Sequence, residues 1–381
     1  MNPFLVTASP RTDLAVFAAT SGHSGVDRVL RNLVPAIAAR GLRVDVLGIR
    51  GHGPDYGDLP SGVRRVDLGT RHVTSALPAL MRYLRRERPR ALLSDKDRVN
   101  RVALIARRLA GVDTRVGVRL GTTVSVNLAS RGALDRWQQT ASMRLLYRNA
   151  DAVLVPSRGA AEDLARHARL PPDRIRVVPS PILTPSMPVR ATEPLLHPWF
   201  DDGAEPVILG VGELSARKDF ATLIRAHARL RAEGHRCRLL ILGEGRRRAD
   251  LARLAAELGS ADAVEMPGFV ANPYPYMTRA AVFALSSRWE GMPVVLIEAL
   301  ALGTPVVACD CPSGPAELLD GGRLGALVPV GDDIAFAAAL ARTLLSPPSR
   351  SALREAAQPY TVENSTAAYL AALGFDETAH D

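Results

Sequence analysis

Short apolar runs alternate with helix-spaced stretches along most of this chain. Leu14–Ala18 is five apolar residues in a row, which suits a strand buried on both faces. Behind it, Val29, Leu33 and Ile37 recur four apart within Arg28–Arg40. That spacing predicts an amphipathic helix, and Gly41 stops it. Val44–Leu47 reads as the next strand, and the alternation continues through Ala91–Leu93, Val99–Leu109, Val116–Val118, Leu134–Arg148 and Ala152–Val155. This rhythm predicts a parallel sheet with helices on both faces. A proline-rich stretch of weak periodicity then interrupts it. The rhythm restarts with strands at Val207–Leu209, Arg238–Leu242 and Ala281–Leu285 and helices at Phe220–Ala232 and Arg248–Leu258.

The expected fold class is therefore α/β, with two doubly wound, Rossmann-like domains. The first spans 1–180, a Pro-rich linker spans 181–205, and the second spans 206–360. The segment 361–381 carries a helix that is a candidate to pack back on the N-terminal domain. In doubly wound sheets, ligands sit beyond the C-terminal ends of the strands, so the site is expected in the cleft between the domains. A chain of 381 residues is long enough for two such domains.

Within the second half, Ser287-Arg-Trp-Glu-Gly-Met-Pro293 follows the strand at Ala281–Leu285. Pro293 suits the start of a helix, Gly303 its end, and Pro305–Ala308 the next strand. Glu290 then lies in the loop and Glu298 inside the helix, on the order of 8 Å further along its axis. The N–H groups of Gly291 and Met292 lie between them, at a helix N-terminus that favours anions. A helix-dipole partner alone would explain Glu290. Glu298 interrupts an otherwise apolar helix, and a carboxylate buried there is costly unless something bonds to it. Two acceptors beside an anion cradle fit a sugar hydroxyl, a ribose diol and a diphosphate.

Two glycine-rich loops follow strands elsewhere. Thr20-Ser-Gly-His-Ser-Gly25 precedes the first helix and lacks the G-x-G-x-x-G dinucleotide fingerprint. Gly25 there permits close backbone approach. Gly210-Val-Gly212 leads to Arg217 and Lys218, cations suited to a diphosphate leaving group. Gly243-Glu-Gly245 is a second flexible loop, and Pro267-Gly-Phe269-Val270 can pack on a nucleobase or offer it backbone bonds.

Composition narrows the class. No apolar run is long enough for a transmembrane helix, and the N-terminus lacks signal-peptide features. The three cysteines make no disulfide framework, so a cytoplasmic location is the default. Net charge is +9, unevenly spread: residues 1–190 carry 31 basic against 15 acidic side chains, and the remainder 17 against 24. The basic half points to an anionic partner, although Arg enrichment throughout explains part of it. Met81–Arg90 is basic with apolar interleaving, which suits either a membrane surface or a solvated helix face. Asp95-Lys-Asp97 reads as a salt-bridged or acceptor-facing loop, and Cys309-x-Cys311 is too little for a metal site.

Taken together, Gly212-x5-Lys218-Asp-Phe220, Leu242-Gly-Glu-Gly245, Pro267-Gly-Phe269, Glu290-Gly-Met-Pro293 and Glu298-Ala-Leu-Ala-Leu-Gly303 resemble the donor domain of family 4 retaining glycosyltransferases of the GT-B fold. The N-terminal half is similar in outline, through its first loop and Ala150–Ser157. The resemblance implies that Glu290 faces the transferred sugar, Glu298 binds the donor ribose and Lys218 the diphosphate. The N–H groups near Gly291 and Met292 would help hold donor oxygens, and Pro293 falls among the donor-binding residues. It implies retention, no obligatory metal and no cofactor beyond a UDP- or GDP-sugar as donor. His23, Gly25 and Arg119 fall on the acceptor side. Glu213 stands where the family usually has Arg, with Arg217 as the replacement charge. Arg119-Leu-Gly-Thr-Thr123 stands where the family often has His, and a guanidinium is a poor general base.

The expected function is hexose transfer to a glycan or lipid-linked acceptor, peripheral at the inner membrane face, without nucleic acid. The alternatives are a GT-B epimerase or phosphorylase, and a non-catalytic sugar- or nucleic-acid-binding protein.

Overall fold

The computed structural model describes residues 12–20, 25–54, 56–129, 131–201 and 203–375. The chain forms two compact units, Met1–Pro181 with Val362–Asp381, and Ile182–Thr361.

The first unit holds a seven-stranded parallel sheet. Its elements are β1 (Leu14–Ala18), α1 (Gly25–Ala38), β2 (Val44–Gly48), β3 (Val63–Asp67), α2 (Leu77–Glu87), β4 (Ala91–Asp95), α3 (Asp97–Ala110) and β5 (Arg115–Arg119). They continue with α4 (Val124–Ala129), α5 (Ala133–Leu146), β6 (Ala152–Val155), α6 (Arg158–Ala168) and β7 (Ile175–Val177). The strand order is β3-β2-β1-β4-β5-β6-β7, so the winding reverses between β1 and β4. β1 shows why a continuous apolar run was needed. Ala15 and Phe17 enter the core on one face, with α2, α3 and α6, while Leu14 and Val16 enter the core under α1 on the other. The edge strand β3 is half-exposed and carries Arg64 and Arg65, which discourages further strand pairing.

α15 (Val362–Leu373) belongs to this unit. Its Tyr369, Leu370 and Leu373 share one core with Leu30, Leu33 and Ile37 of α1. Gly117 of β5 leaves the space that Leu373 fills, because a Cβ there would overlap the leucine. The basic stretch Met81–Arg90 falls mostly on α2, where Leu80, Tyr83 and Leu84 are buried and Arg82, Arg85 and Arg86 are exposed. Tyr83 and Leu84 are therefore used by the core, while Met81 is half-buried.

The second unit contains α7 (Met187–Ala191), β8 (Val207–Val211), α8 (Phe220–Ala232), β9 (Arg238–Leu242), α9 (Arg248–Glu257), β10 (Val264–Gly268) and α10 (Tyr274–Arg279). These are followed by β11 (Val282–Leu285), α11 (Val294–Leu302), β12 (Val306–Cys309), α12 (Pro315–Leu318), β13 (Ala326–Val328), α13 (Asp333–Leu345) and α14 (Arg350–Ala357). The parallel sheet runs β10-β9-β8-β11-β12-β13, with its reversal between β8 and β11.

The stretch expected as a linker, 181–205, is instead built into this unit. Met187 and Ala191 of α7 are buried, and the Arg190 guanidinium sits 5.0 Å from the Tyr274 ring centroid. Asn272 donates to the Arg190 carbonyl at 2.8 Å. His197, Phe200 and Tyr276 form an edge-on aromatic cluster. Prolines break local periodicity, but they do not prevent the segment from docking.

Candidate active site

The site grows from the point where the second sheet reverses. There the crossovers leave in opposite directions, so the loops after β8 and β11 lie side by side. The two loops are stitched together. Arg288 N–H donates to the Arg217 carbonyl at 2.8 Å, and Ser286 Oγ donates to the Lys218 carbonyl at 2.8 Å. Asp219, held at φ 46°, receives Thr222 Oγ1 at 2.9 Å and Arg288 at 3.1 Å.

This frame brings Arg217, Lys218 and Glu290 into one cluster. Lys218 Nζ lies 2.7 Å from Glu290 Oε1, and an Arg217 amino nitrogen (Nη1) lies 2.8 Å from Oε2. Ser287 Oγ donates to Oε1 at 2.8 Å. Lys218 and Glu290 are buried, while Arg217 is partly exposed. Burial pushes the Lys218 ammonium below the ordinary lysine range, and the Glu290 charge opposes that shift. Two cations thus share one carboxylate, which leaves a local excess of positive charge.

Glycine shapes the floor. A Cβ at Gly243 would fall on the Gly212 carbonyl oxygen, and one at Gly212 would lie 2.8 Å from Lys218 Cε. The β8 and β9 loops can touch because Gly243 lacks a side chain, and the Lys218 stem can lie along the β8 loop because Gly212 lacks one. Beyond β10, the Phe269 ring is 79% exposed and Val270 is half-buried.

Pro293 caps α11 without a side-chain hydrogen bond, and the N–H groups of Gly291 and Met292 have no acceptor among the described residues. Ser313 Oγ donates to the Gly291 carbonyl at 3.0 Å and fixes that turn. Glu298 is buried on α11, and Tyr274 OH donates to its Oε1 at 2.9 Å. Tyr274 was missed by sequence reasoning. Nothing in Pro273-Tyr-Pro-Tyr276 marks it, and its partner lies 24 residues away.

Residues 198–359 match the family described as glycosyl transferases group 1, and residues 24–181 match the glycosyl transferase 4-like domain. The chain belongs to the family 4 GT-B glycosyltransferases. A Campylobacter jejuni relative, N-acetylgalactosamine-N,N'-diacetylbacillosaminyl-diphospho-undecaprenol 4-alpha-N-acetylgalactosaminyltransferase, is 35% identical over 237 residues. The match covers 62% of this chain and 62% of that protein, less than two thirds of the relative's length. The lipopolysaccharide outer core galactosyltransferase WaaB shares the fold over 95% of this chain and 99% of its own, with a TM-score of 0.76 at 18% identity. Anabaena Alr3699/HepE in complex with UDP does so over 93% and 97%, with a TM-score of 0.73 at 15% identity.

In the N-terminal unit of this glycosyltransferase, Gly25 opens α1, and His23 lies outside the described residues. Arg119 requires a correction, because its guanidinium is buried and committed to protein partners rather than presented to an acceptor. It pairs with Asp95 at 2.5 Å, donates to Tyr369 OH at 2.6 Å and reaches Ser180 Oγ at 3.1 Å. Burial works against its charge, but Asp95 and Tyr369 outweigh that and hold it above the ordinary arginine range. The first carboxylate of the Asp95-Lys-Asp97 triplet is thus a structural ion pair, and Asp97 pairs with Arg101 at 3.0 Å. Arg119→Ala should cost about 3–5 kcal/mol, since it strands Asp95 in the interior. Urea unfolding would show this as a lower midpoint than the parent's.

Proposed function

We propose that this glycosyltransferase moves a hexose from a UDP- or GDP-sugar to a glycan or lipid-linked acceptor, with retained anomeric configuration and without an obligatory metal. The observation that carries the reading is the Arg217–Lys218–Glu290 cluster beside an uncapped helix N-terminus. As the sugar's anomeric C–O bond to the diphosphate breaks, negative charge grows on the leaving oxygen. Arg217, Lys218 and the free N–H groups of Gly291 and Met292 are the groups that meet it. Glu290, now paired with the cations, turns to the sugar hydroxyls when the diphosphate takes its place. Glu298, oriented by Tyr274, receives the ribose, and Phe269 with Val270 covers the base.

The new bond forms from the acceptor hydroxyl to the same face of the anomeric carbon, and the acceptor proton passes to the departing diphosphate. That route needs no separate protein base, which fits an Arg119 withdrawn into the core. The loop carrying His23 and Gly25 is the proposed acceptor side. The name of the Campylobacter jejuni relative, with its diphospho-undecaprenol-linked acceptor, supports a lipid-linked class here. Complexes of Anabaena HepE with UDP and with UDP-glucose support a uridine nucleotide.

Thermal unfolding with UDP, GDP, ADP and TDP tests the donor assignment. One nucleotide at about 100 times its dissociation constant should add roughly 2.7 kcal/mol. Stabilisation by none of them would remove the donor site from the second unit.

A further inference from the structure

Most surface helices bury their apolar stripe, but α5 does the opposite. Leu134, Trp137, Ala141 and Leu145 are spaced three, four and four apart and therefore share one face. Leu134 is 67% exposed, Trp137 69% and Leu145 65%, while the helix turns Gln139 and Met143 inward. An exposed apolar row capped by a tryptophan is costly in water and calls for a covering surface.

The surroundings supply the chemistry of that surface. α2 packs on α3, and α3 on α5, in one helical layer. These three helices carry nine arginines against Glu87, Asp97 and Asp135, a net +6. Among the described residues, Arg82, Arg108 and Arg136 have no carboxylate partner. The shallow cavities of this layer mix both characters. One, of about 540 Å³, sets Trp137 and Leu128 beside Arg136 and Arg144. A second sets Met81 beside Arg82, Arg85 and Arg86, and a third sets Leu109 beside Arg107 and Arg108.

We propose that this outer face of the N-terminal unit docks on an anionic lipid bilayer. Trp137 and the two leucines enter the headgroup boundary, where an indole is favoured, and the guanidinium groups reach lipid phosphates. Nucleic acid would reward the cations but leave Leu134 and Leu145 in water. The inference goes beyond the sugar-transfer reading and stands on this surface alone. The main apolar contact then lies on α5, since Leu80, Tyr83 and Leu84 of α2 are used by the core.

The test is co-sedimentation of the full chain with phosphatidylcholine vesicles, with and without phosphatidylglycerol. Binding is expected only when the anionic lipid is present, and it should weaken with salt. The combined Leu134→Ser, Trp137→Ser and Leu145→Ser variant, and separately Arg108→Ser with Arg136→Ser, should each lose on the order of tenfold in vesicle affinity. Both should keep the melting temperature and the nucleotide stabilisation of the parent, since these side chains are exposed and lie outside the second unit. Equal binding to both vesicles, no binding to either, or undiminished binding by both variants would overturn the proposal. Self-association lost in the serine variant, without vesicle binding, would also overturn it and assign the face to a second copy of this chain. A failed nucleotide test would leave these vesicle results untouched.

Discussion

Glu290→Gln is expected to lower transfer by about 10²–10³-fold while nucleoside diphosphate binding is kept or strengthened. The two effects have one origin. In the free protein, Glu290 holds both Lys218 and Arg217, so it competes with any diphosphate for those cations. Glutamine preserves the shape and the hydrogen bond from Ser287 but withdraws the competing charge. It also leaves Lys218 buried beside Arg217 without its carboxylate, so the free protein should lose stability. A bound diphosphate restores the missing anion. The nucleotide-induced rise in melting temperature should therefore be larger in the variant than in the parent. Measuring turnover and nucleotide affinity side by side decides the matter. A variant that keeps full turnover, or loses turnover and nucleotide affinity together, would refute this role for Glu290.

Gly243→Val should abolish nucleotide stabilisation altogether. Any Cβ at this position meets the Gly212 carbonyl, so the β8 loop must move. Lys218 Cε sits against Gly212, and the displacement passes directly to the ammonium that Glu290 holds and that is proposed to meet the donor diphosphate. Overpacking of this kind costs about 1–3 kcal/mol in stability. Loss of the roughly 2.7 kcal/mol that a saturating nucleotide would add is a separate reading on the same melting curve. A valine variant that unfolds earlier but still responds fully to nucleotide would show that the two loops are independent.

How much of this was legible beforehand depends on range. The central strands β1, β4, β8, β9 and β11 are buried, and their apolar runs announce them. The loops after them fall where the alternation breaks, so Arg217, Lys218 and Glu290 could be placed in neighbouring turns. The edge strands β3 and β7 were not read, because half-exposed strands lack continuous apolar runs. Glu298 was read as a buried acid in need of a partner, but Tyr274, which supplies a bond to it, left no local trace. Arg119 was misplaced for the same reason. Its partners Asp95, Ser180 and Tyr369 are 24, 61 and 250 residues away, and nothing near Arg119 in the chain declares them. The segment 181–205 looked like a linker because prolines mask a docking face made of separated side chains.

The return of α15 to the first unit has a consequence during synthesis. Gly117 and Arg119 are made early, but Leu373 and Tyr369 follow only after the 180 residues of Ile182–Thr361. At about 5–20 residues per second, the ribosome needs roughly ten to forty seconds to cover that distance. Through that interval the emerging N-terminal unit lacks the helix that closes its core, and Arg119 lacks Tyr369. The second unit, whose residues are contiguous, is complete first. Maturation of the chain therefore runs from the second unit backwards, and the first-translated half is the last to be sealed.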